Sequence, residues 1–126
     1  MKISKFFGAV AAMAMALGAH SPAEASNTGG FGYVFGVFGT FNGAVLFSVQ
    51  VNGANHQLVS RTGIPACGTN NSNRWAIDAS TPAGQAAVQV LLTAYTQHRP
   101  IYVTGTGTCT VWGDTETVQF FNLFDF

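Results

Sequence analysis

The chain has 126 residues, of which 48% are hydrophobic and 8% are charged, and its formal net charge is zero. This length suits one small domain. Beyond residue 25 the fixed positive charges are Arg61, Arg74 and Arg99 alone. Binding to nucleic acid requires a basic surface, so three scattered arginines nearly exclude that class of partner.

The first 25 residues predict a cleavable secretory signal. Two lysines precede an apolar run from Phe6 to Ala19, and the segment ends in the small-x-small sequence Ala23-Glu24-Ala25. The apolar run is shorter than the roughly 18 residues of a membrane-spanning helix. We therefore expect cleavage after Ala25, a mature chain of residues 26–126, and a secreted or periplasmic protein.

Both cysteines, Cys67 and Cys109, lie in the predicted mature part. Small exported domains usually pair their thiols, so we predict a Cys67–Cys109 disulfide that closes a loop of about 40 residues. The residues around Cys67 include no histidine or carboxylate at ligand spacing. A metal site, a cysteine nucleophile or a bound cofactor is therefore not expected.

The stretch from Gly29 to Val51 is rich in glycine and phenylalanine, and Asn42-Gly43 divides it. Asn-Gly between two alternating runs predicts a β-hairpin. In its second strand, Leu46, Ser48 and Gln50 form the wetter face. An aromatic, glycine-rich disordered segment is the alternative. The following residues predict a turn, a short strand over 56–60 and a polar loop over 61–73.

Trp75 to Asp78 alternates as a third strand, with Trp75 in the core. Thr81-Pro82 then predicts the start of an amphipathic helix of about 16 residues that Pro100 terminates. Two strands complete the pattern, from Ile101 to Thr104 and from Glu116 to about Phe124, the second with aromatic residues on both faces. The apolar helix face consists of Val88, Leu91, Leu92 and Tyr95.

The predicted order of elements is strand, strand, strand, helix, strand, strand. This is the order of an OB-fold, a small partly open barrel that binds oligonucleotides or oligosaccharides. We therefore predict a mainly β protein in which residues 26–126 form a single OB-like β-barrel domain with one helix and one disulfide. Because the charge removes nucleic acid, recognition of sugars or proteins remains, by analogy of fold.

A set of short segments resembles small exported bacterial proteins related to the B subunits of subtilase-cytotoxin and pertussis-like AB5 toxins. The resemblance covers roughly residues 64–125 and leaves the Phe/Gly-rich first strands unmatched. It implies an OB-like domain that binds sialylated or related glycans and assembles as a homo-oligomeric ring of about five subunits. The resemblance leaves open whether a companion subunit exists. The segments are Ala66-Cys67, Trp75-Ala76-Ile77-Asp78, Leu91-Leu92-Thr93-Ala94-Tyr95, Val103-Thr104-Gly105-Thr106-Gly107-Thr108-Cys109 and Glu116-Thr117-Val118.

Trp112 is the most suggestive candidate for ligand binding. It stands beside Gly113-Asp114 in a predicted turn, where an indole is well placed to stack on a sugar ring or on a partner surface. Packing over the disulfide is the alternative. The amides and guanidinium of the polar loop suit sugar hydroxyls, although a mobile loop explains them equally well. The ligand-binding candidates are Trp112, Asp114, Asn70, Asn73 and Arg74.

Few residues in the mature chain suit catalysis. Asp114 and Glu116 are two apart, so a strand places them on one face, where a solvated strand end is the simpler reading. His56 is expected in an exposed loop, and His98 near the end of a helix, where a cation interacts favourably with the dipole. We therefore predict no catalytic residues.

These patterns together predict a secreted, non-enzymatic binding module, with glycan as the favoured ligand. The alternative is a secreted or envelope domain for protein–protein interaction, for instance an inhibitor. A minor alternative is an outer-membrane-associated β protein, because the chain ends in an aromatic alternating stretch from Phe120 to Phe126. Single-chain outer-membrane barrels need at least about eight strands, more than this chain supplies.

Overall fold

A computed structural model of the chain describes residues 25–51 and 57–125. Within these ranges the protein is mainly β, with seven strands, one main helix and one 3-10 helix. In chain order the elements are β1 (Asn27–Thr28), β2 (Tyr33–Gly39), β3 (Ala44–Gln50), β4 (Arg61–Thr62), the 3-10 helix (Ala66–Asn71), β5 (Arg74–Asp78), α1 (Pro82–Thr96), β6 (Ile101–Gly105) and β7 (Glu116–Leu123).

The strands form one sheet in the order β2-β3-β5-β7-β6-β1-β4. All neighbouring strands are antiparallel except β5 and β7, which run parallel and pair Trp75 with Glu116. Between β1 and β2, Gly32 forms a bridge with Ile101, through backbone hydrogen bonds of 2.9 and 2.7 Å. The described sheet is not closed. The mainly β prediction is confirmed, and the barrel is not.

The predicted hairpin is confirmed. β2 and β3 pair antiparallel around Asn42-Gly43, and Gly43 has a φ of 84°, a conformation that glycine adopts without steric cost. The predicted wetter face of β3 is wrong, because Leu46 and Ser48 are buried together with Phe47. The predicted turn and His56, at residues 52–56, lie outside the described residues.

The start of α1 also follows the prediction. The Thr81 hydroxyl accepts a hydrogen bond of 3.0 Å from the Gly84 N–H, and Pro82 is the first helical residue. Just before it, Ser80 donates its backbone N–H and its hydroxyl to Asp78, and these bonds lower the pKa of that carboxyl. A local cap of this kind needs only adjacent residues, so the sequence alone can predict it.

Gly84→Ala is expected to destabilise the protein by about 1–3 kcal/mol, because the extra methyl overpacks this site. An ideal Cβ on Gly84 would lie 1.6 Å from the Asp78 carbonyl oxygen. Helix propensity alone predicts the opposite sign, a gain of about 1 kcal/mol. Urea unfolding decides between them, with Ala83→Gly on the exposed neighbour as a control that is expected to cost less. A stabilised Gly84→Ala protein would contradict the close approach.

The buried face of α1 is narrower than predicted. Leu91 and Ala94 are buried, whereas Leu92 and Tyr95 are 42% and 45% exposed. Since α1 contacts β2 and β5 through this narrow strip, Leu92 and Tyr95 fall outside it. The helix ends at Thr96, before Pro100, and His98 follows with a left-handed φ of 51°. None of the described helices is long and apolar enough to cross a membrane.

The core lies between α1 and the sheet. Trp75 belongs to it, as predicted. A bulge in β7 places Val118 opposite Gly105 and Phe120 opposite Thr104, so Gln119 is an extra residue. The bulge interrupts the alternation of faces along β7, because Val118 and Phe121 both pack on the core and Phe120 is 50% exposed. The buried cluster is Val34, Phe47, Val49, Trp75, Ile77, Leu91, Ala94, Ile101 and Val103.

Candidate functional site

The predicted disulfide is confirmed. Cys67 and Cys109 are bonded across 42 positions of the chain, and their Cα atoms are 6.2 Å apart. Cys67 lies in the 3-10 helix and Cys109 in the loop that joins β6 to β7. The bond therefore connects two segments that carry candidate site residues.

Hydrogen bonds fold the loop over residues 106–115 back onto β7. Thr106 donates its N–H to the Thr117 carbonyl at 2.9 Å, and Thr117 donates its N–H to the Thr108 carbonyl at 2.8 Å. The Thr117 hydroxyl accepts a hydrogen bond of 3.2 Å from the Val111 N–H. The turn that follows is thus held by backbone contacts as well as by the disulfide.

Asp114 lies in that turn and accepts hydrogen bonds from two sides. Arg74 Nη2 donates to Asp114 Oδ1 at 2.7 Å, and Asn71 Nδ2 donates to Oδ2 at 2.8 Å. Thr115 donates its hydroxyl to Oδ1 at 3.0 Å and accepts from Arg74 Nη2 at 2.9 Å. With Trp112, whose carbonyl accepts the Thr115 N–H, these residues form the Arg74–Asp114 cluster (Asn71, Arg74, Trp112, Asp114, Thr115).

The cluster is open to solvent. The side chain of Asp114 is 51% exposed and that of Arg74 is 25% exposed. No hydrogen bond among the described residues uses Arg74 Nη1, so its two N–H groups are available to an acceptor. A carboxylate has about four lone-pair positions, and three are used here. The cluster therefore offers both donors and an acceptor at the surface.

The structure brings some of the predicted site residues together. Arg74, Asp114 and Trp112 belong to one cluster, and Trp112 is half-buried. Asn70 is exposed in the 3-10 helix and Asn73 is half-buried before β5. Within the described residues neither hydrogen-bonds to Asp114, and their neighbour Asn71 does. The positions of Asn70, Asn71 and Asn73 in the sequence did not indicate which of them contacts Asp114.

Glu116 is fully buried, so its predicted place at a solvated strand end beside Asp114 is wrong. Its carboxylate pairs with Arg61 Nη2 and accepts the Ser26 hydroxyl. It also accepts the Gly107 N–H at 2.8 Å and the Ser26 N–H at 3.2 Å. These partners form the Glu116 cluster (Ser26, Arg61, Gly107, Glu116). The signal for burial in the sequence is the β-branched surroundings Thr115, Thr117 and Val118.

Arg61 is held in the interior, although the sequence predicts it in a polar loop. Its side chain is 3% exposed, its Nη1 donates to the carbonyls of Ser72 and Arg74, and its guanidinium lies 3.6 Å from the centre of the Trp75 ring. Burial lowers the pKa of Arg61, and Glu116 opposes that change. Its Nε is buried without a hydrogen-bond partner among the described residues.

Two glycines make room for the buried carboxylate. A Cβ on Gly105 would lie 2.1 Å from Glu116 Oε1 and 2.9 Å from the Trp75 ring. Gly107 has a φ of 80°, which turns its N–H onto the carboxylate. The Gly105-Thr106-Gly107 sequence therefore shapes a buried ion-pair site.

The described residues include no group of three or more His, Cys, Asp or Glu side chains that could hold a metal ion. His98 stacks on Tyr33, with ring centres 4.4 Å apart. His56 lies outside the described ranges. A further ion pair joins Arg99 to Asp125 at the surface, outside the Arg74–Asp114 and Glu116 clusters.

Comparison of the chain with family models, with curated proteins and with solved structures finds no match. The resemblance to toxin B subunits stays a prediction.

Proposed function

We propose that this protein is a secreted, non-enzymatic binding module that recognises glycans through the Arg74–Asp114 cluster. The observation that carries the proposal is that the Arg74 guanidinium and the Asn71 amide both reach the Asp114 carboxylate, in an exposed turn that includes Trp112. The disulfide and the Thr117 contacts hold this turn, so little order has to be gained on binding.

The chemistry of the cluster suits a ligand rich in hydroxyl groups. A sugar hydroxyl donates to a carboxylate and accepts from a guanidinium, and Asp114 and Arg74 supply both. The two free N–H groups of Arg74 Nη1 also suit the carboxylate of an acidic sugar. Trp112 is half-buried, and an indole suits stacking on the apolar C–H face of a sugar ring.

The proposal also includes the fold of the sheet as an OB-like barrel. An OB-like barrel is supported by the parallel β5–β7 pair and by the Gly32–Ile101 bridge, which connects the segment before β2 to the far side of the sheet. OB-folds bind oligosaccharides as well as oligonucleotides. The ring of about five subunits implied by the toxin resemblance belongs to the same proposal.

Trp112→Ala is expected to reduce binding to the glycans recognised by the wild-type protein at least about tenfold, which is about 1.4 kcal/mol. The substitution removes the stacking surface while Arg74 and Asp114 stay paired. A glycan array identifies the ligand, and titration calorimetry measures the change in affinity. Asp114→Asn is expected to weaken binding to the same glycans.

Tyr95→Ala is the matched control, because it removes another exposed aromatic side chain, on α1. It should leave the affinity for glycans unchanged. Thermal unfolding of all three variants shows that the loss is local to the Arg74–Asp114 cluster. An array on which the wild-type protein binds no glycan contradicts the proposal.

A protein-binding domain is the second candidate, favoured by exposed apolar surface. Phe38, Phe41 and Phe120 are each at least half exposed. An apolar groove of about 410 Å³ lies between α1 and β7, lined by residues that include Val90 and Phe120. A failed glycan array would favour this candidate.

A further inference from the structure

Ser26 is buried although the predicted leader ends immediately before it. The residue has no exposed surface, whereas Ala25 is exposed. The backbone nitrogen of Ser26 lies 3.2 Å from Glu116 Oε1, its hydroxyl contacts Oε2, and its carbonyl accepts the Gly105 N–H at 2.7 Å. Ser26 is therefore fixed through its nitrogen, its side chain and its carbonyl.

We propose that cleavage after Ala25 turns this nitrogen into an α-ammonium group that binds the buried carboxylate of Glu116. The proposal rests on the predicted leader and is independent of glycan binding. Hydrolysis of the Ala25–Ser26 peptide bond consumes one water molecule. The Ala25 carbonyl carbon takes the hydroxyl and becomes a carboxylate, and the Ser26 nitrogen gains the two protons that make it an ammonium.

The Glu116 carboxylate is arranged to take a second cation. Arg61 Nη2 occupies Oε2, while the Ser26 nitrogen faces Oε1, so the two positive groups approach different oxygens. Arg61 also donates to the Ser72 and Arg74 carbonyls, which share its charge. Before cleavage, Ser26 offers Oε1 a single neutral N–H. After cleavage the same atom carries a positive charge, so a hydrogen bond to the carboxylate becomes an ion pair, and opposite charges attract more strongly in a buried site than in water.

The register of cleavage decides whether this pair forms. Ala25 is exposed, so an amine on a chain that begins there lies outside the buried cluster. Asn27 is half-buried and pairs with Thr62 and Thr104 in the sheet. A chain that begins at Asn27 lacks both the Ser26 nitrogen and the Ser26 hydroxyl at Glu116. Only a chain that begins at Ser26 places an α-ammonium at the carboxylate.

The sequence allows a direct test, because both lysines, Lys2 and Lys5, lie in the predicted leader. After cleavage, the α-amine is therefore the one primary amine in the protein. The full chain is expressed with export, and the intact mass of the product identifies its first residue. The folded protein is then treated with an amine-acetylating reagent, and mass spectrometry follows the rate of modification.

We expect a product that begins at Ser26 and whose amine is acetylated at least about tenfold more slowly when folded than in guanidinium chloride, because a buried group reacts only when the structure opens. A chain that begins at Ala25 is expected to react at nearly the unfolded rate. Asp114→Asn should keep the slow rate, since its carboxylate belongs to the exposed cluster. Glu116→Gln, where it folds, should react faster.

Two results would overturn the proposal, and neither requires the Glu116 variant to fold. One is an intact mass that places the first residue of the exported protein anywhere other than Ser26. The other is an amine at Ser26 that reacts equally fast in the folded and unfolded protein.

Discussion

Glu116→Gln is expected to lower the free energy of unfolding by about 3–5 kcal/mol, the usual cost of removing one partner of a buried ion pair. The Arg61 side chain is 3% exposed, and its charge then has no counter-charge in the Glu116 cluster. Glutamine keeps the size of the side chain, so the loss reports charge and hydrogen bonding. Urea unfolding of the oxidised protein measures it.

Asp114→Asn is the matched control for this change. It removes the carboxylate of the other Arg–Asp/Glu pair in this region, and that pair is solvent-exposed. Exposed ion pairs contribute about 1 kcal/mol or less. Equal losses of unfolding free energy in the Glu116 and Asp114 variants would contradict the expectation that the buried ion pair contributes more than the exposed one.

A double variant separates the pair from its surroundings. Arg61→Met with Glu116→Gln removes both side-chain charges, so no unpaired side-chain ion stays buried. The double variant is expected to lose less stability than the two single losses added together. Strict additivity would show that Arg61 and Glu116 act independently.

Removal of the disulfide is expected to have a similarly large effect. Cys67→Ser with Cys109→Ser should lower the free energy of unfolding by about 4 kcal/mol, because the bond closes a long loop in the unfolded chain. The loop spans 42 positions. Guanidinium chloride unfolding of the variant and the oxidised wild-type protein measures the difference.

The same variant is expected to weaken glycan binding. Cys67 shares the 3-10 helix with Asn71, and Cys109 lies in the loop that leads to Asp114. Without the bond these segments are free to separate, so the Arg74–Asp114 cluster is less ordered before the ligand arrives. Reduced and alkylated wild-type protein serves as a control and should behave like the variant. An unchanged unfolding midpoint would contradict the expected loss of stability, and an unchanged affinity for glycans would contradict the expected loss of binding.

Part of the candidate site was predictable from the sequence. Trp112 and Asp114 stand in a turn, and Arg74 follows a polar loop beside Cys67, so pairing of the cysteines was enough to bring them close. The contact of Asn71 with Asp114, in place of the candidates Asn70 and Asn73, was not predictable. Which of three neighbouring amides reaches Asp114 depends on the 3-10 helix, which the polar composition of the loop does not reveal.

The sequence alone determined the local features of the fold. The Asn42-Gly43 hairpin and the Thr81-Pro82 helix start each depend on a few adjacent residues, whose backbone preferences and hydrogen bonds are short-range. The positions of the longer strands followed from their β-branched and aromatic runs in the same way. The disulfide followed because the chain offers two cysteines and an expected oxidising compartment.

Only the tertiary structure decided which polar residues are buried. Glu116 meets Arg61 across 55 positions and Ser26 across 90, and no local pattern encodes contacts of that range. The two-residue strands β1 and β4 exist only through pairing, because β1 pairs with β4 on one side and with β6 on the other. The bulge in β7 likewise forms where β7 pairs with β6, and it interrupts the alternation of buried and exposed side chains along the strand. These features depend on partners that are distant in the chain, and so they became visible only when the sheet was assembled.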